Sequence, residues 1–400
     1  MPEKSPFHPR TLELCTSLRW KDWAGYYAVA SYRECHEMEY YAFRQAAGIL
    51  DVSPLFKYEV KGPDAGTLLA RVMTRDVRKL RVGRVTYTCW CDDAGKLVDD
   101  GTVTRLDTQH YRVTSADPSL EWFERHAHGL NVQMEESTQR IGALAIQGPT
   151  SRAFLNELVD IDLGKLRFFR AKRATLAGVD VVVSRTGYTG DLGYELWVDA
   201  AKALTVYDAL LEAAPRHGAI PVGLDALDMV RVEAGFVLNG VDYHNARHCL
   251  IESRKSTPYE LGLGWTVDLD REPFIGQEAL RAEKRAGSGW QFVGLVADWE
   301  ELEALYEVHN LPPGVSASAW RTSVPIYRDR SGRKQVGYAS SGTWSPVLKQ
   351  YLAMAHVKAP YAAVGTTVQL EVTVEHERKC ISAVVTERPF FDPPRKRSNG

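Results

Sequence analysis

The sequence predicts an α+β chain with a long mixed region over residues 1–285, a smaller β-rich domain over 290–390 and a flexible basic tail over 391–400. Three observations carry this. Helical and strand periodicities alternate as far as residue 286. Residues 283–290 (EKRAGSGW) are charged and glycine-rich, the composition of a domain boundary. Beyond them the pattern is mostly strand, cut by turns at Ser331-Gly332, Ser341-Gly342 and residues 363–365, which suits a small β-barrel or sandwich.

In chain order, residues 1–25 hold Pro2, Pro6 and Pro9 beside Trp20 and Trp23 and read as an irregular lead-in. Residues 32–47 read as a helix stopped by Gly48, with His36 and Glu37 on a solvated face. A strand at 56–60 leads through Lys61-Gly62-Pro63 to a helix over 65–73, for which Asp64 is the expected N-cap. Residues 85–90 (VTYTCW) are rich in β-branched and aromatic side chains and suit a strand. Residues 92–95 supply turn residues, and 96–98 begin the return strand of a hairpin. A strand at 111–114, a helix at 120–127 and an apolar strand at 141–147 follow. A helix then runs from Gly148-Pro149 through Leu158, since a first turn tolerates proline. Residues 168–185 read as two strands broken at Gly178. Helices over 201–214 and 225–234 come next, the second closed by Gly235. A polar connection over 241–258, a strand pattern over 258–269 and a helix opening at 274–280 complete the mixed region.

Composition excludes several classes. Hydrophobic residues make up 44% and charged residues 25%, an ordinary globular balance. A net charge of −2 points to neither nucleic acid nor an anionic membrane surface as partner. No run of about 18 apolar residues is present to span a membrane. The opening MPEKSPFHPR lacks the apolar core of a secretory signal, so a cytoplasmic protein is expected. Six cysteines in 400 residues fit free thiols in a reducing compartment. Cys89 and Cys91 are the one close pair, and no second pair or histidine cluster completes a metal site around them.

Candidate chemistry gathers in three places. Asp99 and Asp100 sit side by side in a strand pattern, so one should point inward and the other away. An inward carboxyl near Val98 and Val103 would be desolvated and its pKa raised, which makes a poised acid–base group. Adjacent acids beside a turn are also an ordinary solvated edge, and spacing alone leaves both readings open. In residues 186–195 (TGYTGDLGYE), Gly187, Gly190 and Gly193 recur every third position and allow close backbone approach. Glu195 then sits at the mouth of the next strand, on a solvated face or aimed into a site. Arg231 follows Asp228 by three positions, the spacing of a helical ion pair.

Several strings then coincide in order: 48–53 (GILDVS), 96–103 (KLVDDGTV), 145–149 (AIQGP), 186–195, 231–235 (RVEAG), 274–280 (FIGQEAL) and 336–346 (VGYASSGTWSP). In these the chain resembles the glycine-cleavage T-protein family, the tetrahydrofolate-dependent aminomethyltransferases, over nearly its whole length. The resemblance implies a three-domain cloverleaf. Two interleaved α+β domains and a C-terminal β-barrel surround an opening that holds folate. It implies tetrahydrofolate as co-substrate, and the lipoyl-bearing H-protein of glycine cleavage as a partner. It assigns Asp99 as the essential carboxylate near the reactive folate nitrogens, Glu195 as the holder of the pteridine and Arg231 as a further ligand contact. One of Tyr188 and Tyr194 is expected to line the pocket.

Four departures bear on the donor. Thr114 stands where the family pattern has asparagine, and is the expected residue near the one-carbon end. Pro54-Leu55 replaces His-Met, and Leu238-Asn239-Gly240 replaces Leu-Tyr-Gly. Residues 243–255 depart from the family pattern and carry His244, His248 and Cys249. The expected activity is aminomethyl transfer giving 5,10-methylene-tetrahydrofolate and ammonia. The alternatives are a folate-dependent O-, S- or N-demethylase and a non-catalytic folate-binding protein, the last opposed by the retained Asp99.

Overall fold

The computed structural model describes residues 1–398. Its strands form a hairpin, a six-stranded sheet, a five-stranded sheet and a closed six-stranded barrel. The six-stranded sheet runs Ala171–Leu176, Val179–Ser184, Gly193–Asp199, Ile141–Gln147, Ala47–Asp51, Ala219–Pro221. Its pairs are antiparallel except the last, which is parallel. Strand alternation buries both faces. Leu144, Ile146, Tyr194, Leu196 and Val198 pack on one side with Phe7, Phe154 and Tyr207. Ala143, Ala145 and Trp197 pack on the other with Phe43, Met229 and Val230.

The chain leaves this sheet after Asp51, builds the five-stranded sheet and returns at Ile141. The second sheet runs Val85–Cys91, Leu97–Asp107, His110–Ser115, Phe56–Lys61, Gln133–Glu136. One face is apolar: Tyr58, Val60, Trp90, Val103 and Val113 pack on the helix Ala65–Val72. The other face is polar. Cross-strand partners share a face, so Tyr87, Thr102, Thr114 and Lys57 form one row across four strands. This polar face meets the six-stranded sheet, with the Arg112 guanidinium 5.7 Å from the Trp197 ring centroid.

The barrel closes in the order Trp290–Ala297, Gln350–Lys358, Gln335–Ser345, Val324–Tyr327, Thr367–Val374, Glu377–Thr386. Closure leaves no free sheet edge. A separate apolar cluster, including Cys89, Leu97, Val232, Tyr243, Leu263, Phe292 and Met354, joins the barrel to the five-stranded sheet and the helix Leu224–Glu233.

The structure corrects several local expectations. The lead-in is ordered as a helix, His8–Leu14, and a hairpin of Arg19–Trp23 with Tyr26–Ser31. The first long helix is shorter than its pattern, Glu37–Gln45, and His36 is buried against the Ala317 carbonyl rather than solvated. Asp64 takes the N-cap position of its helix as expected, but its carboxylate makes no capping bond and accepts instead from the Asn131 amide. Residues 258–269 hold no strand, because Leu261, Leu263 and Leu269 reach the joining cluster from turns. The tail is not loose over 391–398. Phe391 donates its amide to the Glu233 carbonyl, Arg395 forms a two-bond pair with Asp191, and the Ser398 carbonyl accepts from Arg185. Residues 399–400 lie outside the described residues.

Candidate active site

Gln147, at the end of a central strand, pins the glycine loop. Its side-chain amide donates to the Thr186 and Tyr194 carbonyls, each at 3.1 Å, and its oxygen accepts from the Thr189 hydroxyl at 3.0 Å. A Cβ at Gly187 or Gly193 would lie 1.9 or 2.2 Å from that oxygen, so either substitution would push the Gln147 amide out of these bonds. The pinned loop sets Thr186 against Glu195. The Glu195 Oε2 accepts from the Thr186 hydroxyl at 2.6 Å and the Ser184 hydroxyl at 3.4 Å. No hydrogen bond to Oε1 is made among the described residues. Burial raises the Glu195 pKa, and the two hydroxyls offset it in part.

Tyr188, two residues beyond Thr186, turns towards the five-stranded sheet. It lies near enough to Arg231, Asp100, Asp242 and Asp228 to feel their charges. Its ring stacks on Phe236 at 5.5 Å, and its hydroxyl donates to the Val237 carbonyl. Tyr194 does not line the site. It alternates to the far face of its strand, is fully buried in the core, and its hydroxyl accepts from Arg152.

The aspartate pair is split by the same alternation. Asp99 pairs with Trp90 on the apolar side and is fully buried. Its Oδ1 accepts from the Asp100 amide at 2.9 Å, the Asn239 side chain at 2.9 Å and the Tyr243 hydroxyl at 3.0 Å. Its Oδ2 accepts from the Ala116 and Asp117 amides at 3.1 and 2.9 Å. Asp100 pairs with Cys89 on the polar face and keeps part of its surface open. It contacts the hydroxyls of Tyr87, at 2.7 Å, and Tyr243. Asp100 therefore does not point away into solvent: Tyr243 touches both carboxylates. Burial pushes both acids above their ordinary range, and for Asp99 the neighbouring Asp100 charge adds to it. Gly101 follows because a Cβ there would sit 1.9 Å from the Thr114 carbonyl oxygen.

Arg231 is a clamp rather than an open ligand contact. It has no accessible surface, and its guanidinium bonds Asp228 at 2.8 Å, Asp242 at 2.6 Å and Ser341 at 2.8 Å. Asp242 also accepts from Ser340, Ser341 and the Leu238 amide. This node ties the helix Leu224–Glu233 to the barrel and fixes Tyr243, the next residue, over the aspartates. Thr114 is buried and exchanges a 2.7 Å hydrogen bond with Thr102 on the polar face. Lys57, its cross-strand partner, curls back to the Ser53 and Leu55 carbonyls at 2.7 and 2.8 Å, and burial pushes its pKa down to about 7. No cluster of three or more histidine, cysteine or acidic side chains suited to a metal occurs among the described residues.

The structure brings Asp99, Asp100 and Tyr188 together with Arg231 close by; Glu195 ends the glycine loop that carries Tyr188 and touches only Thr186 and Ser184, and Tyr194 is left out. Sequence reasoning did not assign Tyr87, Tyr243 or Asn239. Asn239 and the 243–255 stretch depart from the family pattern, and that departure is their signal in the sequence.

Residues 15–271 match the model of the GCVT N-terminal domain, and residues 311–392 that of the glycine cleavage T-protein C-terminal barrel domain. A trimethylamine-oxide aldolase of Ruegeria pomeroyi is 36% identical over 374 residues, 90% of this chain but 43% of that protein, so the chain spans less than half of it. An aminomethyltransferase of Geobacillus thermodenitrificans is 34% identical over 88% of this chain and 89% of its own length. The crystal structure of the glycine cleavage system aminomethyltransferase T from Bartonella henselae superposes with a TM-score of 0.82. That alignment covers 98% of this chain and 99% of the other at 22% identity, a likeness of fold.

Proposed function

The chain belongs to the glycine-cleavage T-protein family, a family of enzymes that transfer one-carbon groups, and we propose that it uses tetrahydrofolate as the acceptor. The observation that carries this reading is Glu195, half-buried, with one oxygen held by two hydroxyls and the other without a partner among the described residues. A reduced pterin presents its 2-amino group and N3–H as paired donors, and a carboxylate accepts both. Those donors would relieve the strain that burial places on the Glu195 charge. Tyr188 offers an aromatic wall beside it. The Asp99–Asp100 pair supplies negative charge where positive charge develops on the folate nitrogen and the transferred carbon.

In the main form of the reaction the donor is an aminomethyl group carried on a lipoyl thiol. The C–S and C–NH₂ bonds of that carbon break and two C–N bonds to folate form. One folate N–H proton leaves with ammonia and the other restores the thiol. Two observations favour a second form, demethylation of a small molecule to give 5-methyl-tetrahydrofolate. Asn239 holds Asp99 where the family pattern has tyrosine, and Thr114 replaces asparagine on the polar face. The similarity to a trimethylamine-oxide aldolase adds weight to a methylated amine as donor.

The test is product identification. Purified protein is incubated with tetrahydrofolate and either aminomethyl-loaded carrier protein or a panel of methylated amines, sulfonium compounds and aryl ethers. Methylene-folate with ammonia supports the first form, and methyl-folate the second. Absence of any folate product across all donors contradicts both.

A further inference from the structure

We infer that Arg81, Arg84, Arg167 and Arg170 form a site for a small multivalent oxyanion, a polyphosphate chain either free or carried on a nucleoside. The site is separate from the one-carbon chemistry above and stands without it. Its first sign is a repetition. Residues 79–84 read Lys-Leu-Arg-Val-Gly-Arg, and residues 165–170 read Lys-Leu-Arg-Phe-Phe-Arg. Each stretch is entered through a short turn whose aspartate accepts from an amide two residues on, Asp76 from Arg78 and Asp162 from Gly164. Each bends at the same place through a residue at positive φ, Gly83 at +77° and Phe169 at +56°. Each is held at its leucine carbonyl by a further arginine, Arg105 on Leu80 at 2.6 Å and Arg185 on Leu166 at 3.2 Å. Each then feeds the edge strand of its sheet, Val85–Cys91 or Ala171–Leu176. The two loops meet. The Val85 amide donates to the Phe169 carbonyl at 3.1 Å and the Ala171 amide to the Gly83 carbonyl at 2.8 Å, which sets Arg84 and Arg170 opposite each other in an antiparallel bridge.

Charge is what sets this junction apart. The neighbouring cations are neutralised: Lys79 by Asp268, Lys165 by Asp162, and Arg78 by Asp76 and Glu272. Arg81, Arg84, Arg167 and Arg170 make no ion pair and no side-chain hydrogen bond among the described residues. Arg81, Arg84 and Arg167 are exposed, and Arg170 is half-buried. Burial pushes the Arg170 pKa down, the charges of Arg84, Arg167 and Arg81 push it further, and no carboxylate opposes them. Like charges gathered this closely repel, and an anion seated among them removes the repulsion. Guanidinium forks take phosphate oxygens two at a time, so four of them on two facing loops suit consecutive phosphates. With a net charge of −2 the chain has no wider basic field to hold a nucleic acid. Phe168 and Phe169, half-buried between Arg167 and Arg170 in the chain, add aromatic surface that a nucleobase would use.

The experiment is calorimetric titration of inorganic tripolyphosphate, and separately of ATP, into the full chain at low ionic strength, where screening is weakest. Wild type should bind tripolyphosphate saturably, one ion per chain. The double variant Arg84→Gln with Arg170→Gln should bind it at least about tenfold more weakly. Arg285→Gln, which removes an exposed arginine from the helix Gln277–Ala286, should bind it as wild type does. Thermal melting gives a second readout. Relieved of repulsion, the double variant should melt no lower than wild type without anion, and only wild type should gain from added tripolyphosphate. If that variant does not fold, Arg81→Gln with Arg167→Gln, both at exposed positions, replaces it. Tighter binding of ATP than of tripolyphosphate supports the site and assigns it to a nucleotide. Equal binding of the two supports it and assigns it to the phosphate chain alone. No saturable binding to wild type, or equal affinity in wild type and a folded double variant, overturns the site.

Discussion

Glu195 and Asp99 are both acids drawn out of water, and the protein treats them in opposite ways. Asp99 is saturated, with five donors on two oxygens and no open surface. Glu195, half-buried, has two hydroxyls on one oxygen and no donor on the other among the described residues. A saturated carboxylate has no acceptor left to offer a ligand. An unsaturated one pays a desolvation penalty that a ligand with matching donors removes. The difference separates a carboxylate locked by the protein from one left open for recognition.

The largest effect is expected at the clamp that supports the saturated side. Arg231→Ala strands Asp242 as a buried charge, leaves Asp228 with Arg321 alone, and should cost about 3–5 kcal/mol of stability, read by denaturant unfolding. Little change would mean that Arg231 does not organise this node. Next, Asp99→Asn leaves three backbone amides facing an uncharged group and should lower kcat by roughly 100- to 1000-fold, with folate affinity less affected. A loss seen in KM alone would assign Asp99 to recognition and dissolve the contrast. Glu195→Ala should do the reverse, weakening tetrahydrofolate binding by about 2–3 kcal/mol through lost charge-assisted hydrogen bonds.

The pH dependence sharpens the same point. Glu195 has a raised pKa in the free protein, so the acceptor form is lost as pH falls through that raised value. Folate affinity should therefore decline on the acid side in wild type and not in Glu195→Gln, as a binding series across pH would show. The smallest effect concerns stability. Lys57 has its pKa pushed down to about 7, so between there and the ordinary lysine value the unfolded chain binds more protons than the folded one. Stability should rise with pH across that window, and Lys57→Met should flatten the slope.

The sequence made some of this legible and hid the rest for physical reasons. Alternation in 97–107 forecast that Asp99 and Asp100 would take opposite faces, and they do. The helical pair Asp228–Arg231 was readable from spacing three and is present at 2.8 Å. Its other partners, Asp242 and Ser341, are distant in sequence and meet Arg231 only when the barrel docks. Tyr243 and Asn239 reach Asp99 across 144 and 140 positions, so no local pattern could announce them. Tyr194 was misleading because it neighbours Glu195 in sequence, and neighbours on a strand face apart. The lead-in hairpin was missed although Gly25, at φ +82°, marks its turn, because the early prolines suggested irregular chain.

Calorimetric titration of tetrahydrofolate into wild type and Glu195→Ala at neutral pH tests recognition by the unsaturated carboxylate most directly. Saturable one-site binding in wild type, weakened at least about tenfold in a folded Glu195→Ala, is the predicted result. Equal affinity in the two proteins, or no binding to wild type, would contradict it.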